Sequence, residues 1–445
     1  MQMKNKVKSE KGIMTMYVTI AVVTFTIILV ALFSLAVATR RNQIKTLIKI
    51  KEVYEQDNSK KEQIYLAKKE QIERQLPRTK DTRPYYPDDT FEKDSDTNLN
   101  DGLVIRDSNG NEYVWIEVPK SLYADSSYNT KTTTADQKPT KSTDYDKIEY
   151  CLNKYTEDYR KKSNGTLTSF TDEYPSDKVL AGTGLTSEQY TALKQKMLKS
   201  VYENGGFWIG RYEAGIAENR TSKEIDLATA SAPLSTSKTG TEENPIYPYP
   251  YTYVTCSQAQ ELASKLSTGK SYTSSLMFGV QWDLVLKHIE TKEVEKGTAL
   301  ATIQSALRTD SKDWGNYKNA SFTINRGKYA KDGALSSAWI NYNTALANCV
   351  TYANGKSTKL SASSSSNSIL LTTGASDACK KMNIYDLAGN VWEWTLEYSA
   401  NTGNPCASRG GSYGGIGSGY PASYRSYGYT TDSSGYIGYR PSLYK

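Results

Sequence analysis

Histidine is nearly absent from this chain, since His288 is the only one among 445 residues. Zinc sites that need several histidines, and most zincin-type proteases, are therefore excluded. The five cysteines include no C-x-x-C pair, which argues against a zinc ribbon or a thioredoxin-like centre. Their odd number leaves the redox state open. A Ser-His-Asp triad would have to use His288.

Phenylalanine is also scarce, with 7 residues against 35 tyrosines. Charged residues make up 23% and apolar residues 38% of the chain, which is typical of a globular protein. The length predicts about two to three structural units. The net charge of +7 is spread out, so we expect no nucleic-acid partner.

One long hydrophobic run lies near the N-terminus. Residues 12–39 carry no charged side chain and are long enough to cross a bilayer. We expect residues 1–39 to be a basic segment and a transmembrane helix that contacts the membrane through residues 13–39. The chain would then be a single-pass protein with its ectodomain outside the cell, at a bacterial surface. The alternative is a cleaved signal, because residues 36–38 fit an A-x-A site.

The start of this run, residues 11–14, resembles the N-termini of prepilin-like proteins, which are cleaved after such a glycine. Those proteins usually carry a glutamate at the fifth position after the cleavage, where this chain has Tyr17. The resemblance implies one hypothesis for the function, a pilin-like structural subunit.

A charged helix is expected after the membrane segment. Apolar residues recur at three- and four-residue steps over residues 40–76, which predicts either a helical stalk that self-associates or a solvated helix. Pro77 ends it, and the polar residues 77–100 are interpreted as a linker. Residues 101–445 are then the globular domain, with polar insertions.

The globular part opens with a strand-turn-strand pattern over residues 103–118, in which Asn109 and Gly110 supply the turn. A further strand is predicted at residues 206–213. The predicted helices are residues 186–202, 257–266 and 280–289. The many short elements and long loops indicate an irregular mixture of helix and strand.

A compact motif follows at residues 383–395, with the sequence NIYDLAGNVWEWT. Asp386 and Glu393 flank a glycine turn, so their carboxylates and the carbonyls between them could bind one calcium ion. Two carboxylates are few for calcium. The other interpretation is a strand with buried Trp392 and Trp394, whose carboxylates face water or cap a turn.

The last segment combines nine glycines and seven tyrosines between residues 410 and 439. Glycine and serine interleaved with aromatic residues are typical of binding surfaces. The alternative is a terminal sheet whose tyrosines cover the core edge. We predict that Tyr413 and Tyr439 are structural. The predicted ligand-binding residues are Tyr420, Tyr424, Arg425, Tyr427, Tyr429 and Tyr436.

Six segments together resemble the formylglycine-generating, sulfatase-modifying-factor family, and they occur in that family's order. They are residues 207–213, 257–266, 279–283, 386–395, 409–413 and 437–440. The resemblance implies an α+β class, with an irregular C-type-lectin-like domain behind the transmembrane helix and stalk. It also implies structural calcium, held by the side chains of Asp386 and Glu393 and the carbonyls of Gly389 and Val391.

Active members of this family oxidise a substrate cysteine with a copper ion held by two cysteines. These cysteines follow the GGS-aromatic motif by two and seven residues, where this chain has Gly415 and Tyr420, or Gly419 with one gap. Neither glycine nor tyrosine offers the thiolate that copper(I) prefers, so we expect no copper and no oxidase activity. The main hypothesis is a non-catalytic surface protein that binds a protein or a glycan. The alternatives are an oxidoreductase of this type with a displaced metal site, or the pilin-like subunit.

Overall fold

The computed structural model divides the chain into two units, Met1–Gln75 and Leu76–Lys445. The residues that it describes are 2–54, 75–131, 136–161, 168–174, 182–241, 243–331, 339–341, 352–353, 356–357, 368–401 and 403–445.

The first unit contains the helix Gln2–Tyr54. Within its segment Gly12–Lys51, the most apolar stretch of 18 residues has a mean hydropathy of 2.8. By length and composition this helix is sufficient to cross a membrane, a criterion that a signal sequence near an N-terminus also meets. The predicted stalk continues the helix as far as Tyr54, and its residues 55–74 lie outside the described part of the chain.

Two helices of the second unit begin with a capping box. Thr186 and Thr255 each accept a hydrogen bond from the third amide of their helix, where a glutamine side chain accepts one in return from the cap's amide. The three helices predicted from the sequence are present. The described helices of this unit are Ser126–Asn129, Tyr145–Tyr155, Glu157–Arg160, Ser187–Asn204, Cys256–Ser264, Gly279–Glu295 and Leu300–Arg308.

The larger sheet lies between two layers of apolar side chains. Its six strands follow one another in space, with antiparallel pairing, as Glu92–Lys93, Val104–Arg106, Glu112–Glu117, Gly206–Gly210, Pro441–Tyr444 and Thr273–Leu276. In the third strand Val114 and Ile116 face the main core, while Tyr113 and Trp115 face a second cluster. Successive side chains of a strand point to opposite faces, so both faces of this sheet need apolar cover. The hairpin predicted at residues 103–118 is confirmed.

The segment interpreted from the sequence as a linker, residues 77–100, supplies part of that cover. Phe91 is fully buried in the second cluster. The indole N–H of Trp115 donates to the hydroxyl of Thr82 at 2.8 Å. The structure therefore places this segment inside the compact unit, which begins at Leu76. The reason is that the strand holding Trp115 is apolar on both faces.

The smaller sheet carries the C-terminal motif. Its central strand is Trp392–Ser399, which pairs antiparallel with Cys406–Arg409 and parallel with Ile437–Tyr439. Arg425–Gly428 extends the sheet beyond Cys406–Arg409, and Phe170–Thr171 pairs with the end of the central strand. This order brings the Tyr-rich segment alongside the motif.

Shorter strands border the two sheets within the described residues. They pair as Lys328–Lys331 with Ile340–Asn341 and Ile369–Leu371, Gly215–Ile216 with Tyr249–Pro250, Thr239–Gly240 with Pro245–Ile246, Tyr352–Ala353 with Lys356–Ser357, and Lys380–Lys381 with Ile384–Tyr385. The combination of helices and largely antiparallel sheets confirms the α+β class.

Candidate functional site

Tyrosines of the C-terminal segment form an exposed aromatic surface. The rings of Tyr420 and Tyr424 contact Trp392, with centroids 5.3 and 5.9 Å away, and contact each other at 5.1 Å. Tyr427 and Tyr429 are the most exposed, at 57% each. All five tyrosines that the sequence suggested as ligand-binding residues are exposed. We define the aromatic surface as Trp392, Tyr420, Tyr424, Tyr427, Tyr429 and Tyr436.

Two tyrosines of the same segment are buried, as predicted. Tyr413 and Tyr439 have no exposed surface. Tyr413 stacks against Tyr436 with ring centroids 4.7 Å apart, so a buried ring supports an exposed one. Gly410 and Gly411 precede them with φ angles of 87° and 83°, a left-handed backbone that favours glycine. The chain leaves the sheet at this turn.

A buried ion-pair network underlies the strands that carry this segment. Arg409 donates to Asp283 at 2.8 Å and to Glu397 at 3.0 Å. Arg425 donates to Glu397 at 2.7 Å and also to Asp283. We call these four residues the charge-balanced network, because two guanidinium groups meet two carboxylates. A fully hydrogen-bonded set of this kind holds its strands in one arrangement.

Arg425 was predicted to bind a ligand, but the structure places it in this network. Only 8% of the residue is exposed, and its guanidinium also donates to the carbonyl of Tyr159 at 2.7 Å. Burial favours the neutral form, yet Asp283 and Glu397 outweigh it and raise the pKa of Arg425. Burial likewise acts to raise the pKa of Asp283, but Arg425 and Arg409 hold it below its ordinary value. Both groups stay charged.

Left-handed backbone positions the motif at residues 383–395. Asp386, Gly389 and Asn390 have φ angles of 57°, 76° and 53°. A Cβ at Gly389 would lie 2.2 Å from the carbonyl oxygen of Asn316, so a side chain does not fit there. The turned backbone directs the side chain of Asn390 into the core, where it donates to Glu213.

The motif builds a second buried charge cluster. Glu393 accepts two hydrogen bonds from Arg440, at 2.7 and 3.1 Å. Asp386 accepts one from the amide of Gly374 at 2.8 Å. Glu213 is fully buried nearby, and the charges of Asp386 and Glu393 act on it. We call Glu213, Asp386, Glu393 and Arg440 the carboxylate-rich cluster, because three carboxyl groups face one guanidinium.

This excess of carboxyl groups favours protonation. Burial raises the pKa of Asp386 to about 7, against the lowering effects of the Gly374 amide and Arg440. Burial, followed by the charges of Asp386 and Glu393, raises the pKa of Glu213 well above its ordinary value. The atoms Glu213 Oε2 and Asp386 Oδ1 are buried and have no hydrogen-bond partner within the described part of the chain. At neutral pH we therefore expect this pair to retain a proton.

The ligand set implied for calcium does not fit this arrangement. Both oxygens of Glu393 accept from Arg440, so a guanidinium already neutralises that carboxylate. Of the two implied side-chain ligands, Asp386 is the one with an oxygen that has no partner among the residues the structure describes. Within the described ranges, no group of three or more His, Cys, Asp or Glu side chains is placed to hold a metal ion. Calcium binding stays a prediction of the resemblance.

The other interpretation of the motif also needs correction. Trp394 is buried and donates its indole N–H to the carbonyl of Val254 at 3.0 Å. Trp392, in contrast, belongs to the aromatic surface. The carboxylates of Asp386 and Glu393 face neither water nor a turn that they cap, since they lie in the buried cluster.

Two cysteines that the sequence did not connect lie together. The thiols of Cys256 and Cys406 are in hydrogen-bond contact. Their residues are only 1% and 2% exposed, so a peptide substrate cannot reach the sulfur atoms. The pair therefore lacks the open groove that a displaced oxidase site requires. Cys349 lies outside the described residues.

The single histidine is a core residue. His288 Nδ1 accepts from the amide of Glu117 at 3.2 Å, and its Nε2 is buried with no partner in the described ranges. Burial, with smaller contributions from Lys292 and Lys296, lowers the pKa of His288 to about 3. A neutral imidazole held in this way has no contact with a nucleophilic side chain among those described.

Comparisons with known proteins add little to this description. No family model and no curated protein matches the chain. The solved structures that match include one described as the crystal structure of CarF, which is 14% identical and covers 54% of this chain and 86% of its own. Its TM-score of 0.32 is too low to carry an argument about fold or function.

Proposed function

We propose that this chain is a non-catalytic binding protein of the cell surface, anchored by its N-terminal helix, whose aromatic surface binds a protein ligand. Its globular unit would be a C-type-lectin-like domain of the formylglycine-generating type. The observation that carries the proposal is the aromatic surface, in which Tyr420 and Tyr424 pack on Trp392 and yet stay exposed.

The chemistry of this surface suits a protein ligand. Tyrosine and tryptophan offer large contact areas with few rotatable bonds, and both are enriched among the residues that dominate binding energy. Charge contributes little, because Arg425 and Asp432 are the only charged residues between positions 410 and 439, and Arg425 is buried.

Ring geometry favours a protein over a glycan. The ring of Tyr420 makes an interplanar angle of 76° with the ring of Trp392. It makes an angle of 86° with the ring of Tyr424. Rings in edge-to-face contact cover one another's faces and present edges and hydroxyl groups outward. A sugar ring stacks on an open aromatic face, whereas a protein surface with backbone carbonyls and apolar side chains matches edges and hydroxyl groups.

The scaffold beneath supports a preformed site. Arg409 and Arg425 lie in adjacent strands, opposite each other, and share the carboxylates of Asp283 and Glu397. The segment between these strands carries Tyr420 and Tyr424. Loops whose ends are fixed lose less conformational entropy on binding.

The family part of the proposal is supported by how two of its segments meet. Residues 386–395 and 437–440 are among the specific pieces of the resemblance. The strand Trp392–Ser399 begins in the first piece and pairs in parallel with Ile437–Tyr439, which lies in the second. Arg440 and Glu393 join them through two hydrogen bonds in the core. Segments that match a family in order and also contact each other are consistent with its fold.

A pair of arrays tests this function. The full chain in detergent would be applied to a protein array and a glycan array, beside a variant with Tyr420, Tyr424 and Tyr427 changed to alanine. We expect binding to proteins that the triple variant loses by at least about tenfold, as for interface tyrosines in general. Tyr247→Ala, a partly exposed tyrosine outside the surface, is the matched control.

Two outcomes would overturn the proposal. Equal binding by the triple variant and the wild-type chain would place the contact elsewhere on the molecule. Binding confined to the glycan array, and lost in the triple variant, would keep the site but make its ligand a carbohydrate.

A further inference from the structure

Two distant parts of the chain bring a pair of thiols together. Cys256 is the first residue of the helix Cys256–Ser264, and Cys406 is the first residue of the strand Cys406–Arg409. Their thiols are in hydrogen-bond contact inside the main core. This pair has no part in the aromatic surface or in either charge cluster.

The surrounding contacts hold both sulfur atoms in place. The thiol of Cys256 also donates to the carbonyl of Thr395 at 3.5 Å. Thr395 is the antiparallel partner of Ala407, the residue after Cys406, and its hydroxyl donates to the carbonyl of Ala407 at 3.1 Å. The helix thus meets the central strand where that strand pairs with the neighbour of Cys406.

Backbone covers the pair on another side. A Cβ built at Gly182 would lie 1.8 Å from the Cys406 sulfur, so the main chain of Gly182 packs directly on that atom. Cys406 is therefore shielded from solvent by main chain that a larger residue could not replace. A thiol pair closed in this way must react before or while the domain folds.

We propose that Cys256 and Cys406 form a disulfide that ties this helix to this strand. Its formation is thiol–disulfide exchange with a low-molecular-weight or protein disulfide. One thiolate attacks the oxidant's S–S bond and releases the first thiol. The second cysteine then attacks the mixed disulfide and releases the second thiol. The chain gives up two electrons and two protons, and one S–S bond forms as one breaks.

The other described cysteines lie apart from this pair. Cys151 lies in the helix Tyr145–Tyr155, and its thiol donates to the carbonyl of Gln137 at 3.6 Å. Cys379 is buried in the short helical turn Asp377–Cys379, near the side chain of Asp386. All four described cysteines are free thiols in this structure, and the thiol–thiol contact found among them is the one between Cys256 and Cys406. The pairing of Cys256 with Cys406 is the one that the fold prepares.

Peptide mapping tests the bond without depending on the proposed ligand binding. The full chain would be synthesised in a cell-free reaction with detergent micelles and a mixture of glutathione and glutathione disulfide. Free thiols would be alkylated after denaturation, and the digest analysed by mass spectrometry without reduction. We expect a cross-linked peptide that joins Cys256 to Cys406, and alkylated Cys151 and Cys379.

Thermal unfolding supplies the second measurement. A bond that closes so long a loop should raise the unfolding midpoint of the oxidised chain by at least about 5 °C over the chain synthesised in the presence of a phosphine reductant. The double variant C256S/C406S should show no such difference. The control variant C151S should behave as the wild-type chain does.

Three results would overturn the inference. The first is recovery of Cys256 and Cys406 as alkylated thiols from the folded, oxidised chain. The second is a cross-link of either residue to another cysteine. The third is copper(I) binding by the pair with one-to-one stoichiometry in competition with a chelator, because a metal-bound pair of thiolates is not a disulfide.

Discussion

The charge-balanced network and the carboxylate-rich cluster are both buried, yet they handle their charges in opposite ways. In the first, Arg409 and Arg425 match two carboxylates, and the pKa of Asp283 is held below its ordinary value. In the second, one guanidinium faces three carboxyl groups, and the pKa of Asp386 rises to about 7. The balance of cations and carboxylates decides whether a buried acid stays ionised here, since burial is common to both.

The two sets therefore have different roles in the C-terminal half. The network fixes the strands beneath the aromatic surface, and its charges are all paired. The cluster resembles a cation site in sequence, but Arg440 takes the place of the cation for Glu393. Under the proposed function, the exposed tyrosines are the groups that contact the ligand.

The largest expected effect comes from unbalancing the network. Arg409→Met leaves Asp283 and Glu397 with one guanidinium, and loss of one partner of a buried pair typically destabilises by about 3–5 kcal/mol. Urea unfolding of the detergent-solubilised chain measures the change. Arg326→Met is the control, because its pair with Asp377 is partly exposed and should contribute about 1 kcal/mol or less. Equal effects of the two substitutions would contradict the account.

Amide substitution should sharpen the comparison. Asp283→Asn removes the negative charge to which Arg409 and Arg425 both donate hydrogen bonds. We expect the free energy of unfolding to fall by about 2–3 kcal/mol. Asp386→Asn removes a carboxyl group whose pKa burial raises to about 7, so that its ionised form is unfavourable in the folded chain. We expect the Asp386→Asn chain to be at least as stable as the wild-type chain at pH 7, because the amide stays neutral where the buried carboxyl group must ionise. If Asp386→Asn lowers the free energy of unfolding as much as Asp283→Asn does, the ionised form of Asp386 is stabilised in the folded chain, which contradicts its raised pKa.

The pH dependence of stability should differ in sign between the two sets. A folded pKa of about 7 for Asp386, against its ordinary 3.8, means that its contribution is complete below about pH 4 and is lost as the pH rises through 7. The lowered pKa of Asp283 means the reverse, a contribution present above pH 3.8 and lost as the pH falls through the folded value. Asp386→Asn should therefore flatten the decline between pH 4 and 7 in unfolding curves. An unchanged slope would contradict the assignment.

Calcium should have the smallest effect. Because Arg440 occupies both oxygens of Glu393, we expect a chelator to leave the thermal unfolding midpoint of the chain unchanged. A midpoint that rises with millimolar calcium, and that Asp386→Asn makes insensitive to it, would favour the calcium site that the family resemblance implies.

Local features could be predicted from the sequence because their causes are local. The turn at Asn109 and Gly110 and the capping threonine at position 186 depend on neighbouring residues. The exposure of Tyr427 and Tyr429 was predictable from their polar and glycine neighbours.

Long-range partners could not be predicted in the same way. Glu213 meets the motif through Asn390 and Arg425 meets Asp283, and in each case the sequence between them gives no sign of the contact. Residues 77–100 are polar and proline-bearing, yet they are held by the aromatic side chain of Trp115 on the sheet. The sequence does contain one indication of this contact. The strand of Trp115 is an unbroken apolar run, whereas a strand with one face in water would alternate apolar and polar residues.

The most direct test of the account is hydroxyl-radical footprinting of the full chain, with and without the protein that the array identifies. The account predicts that protection concentrates on the aromatic surface, with the largest decreases in oxidation at Tyr420, Tyr424 and Tyr427. Protection confined to residues outside that surface, with these three tyrosines oxidised equally in both states, would contradict it.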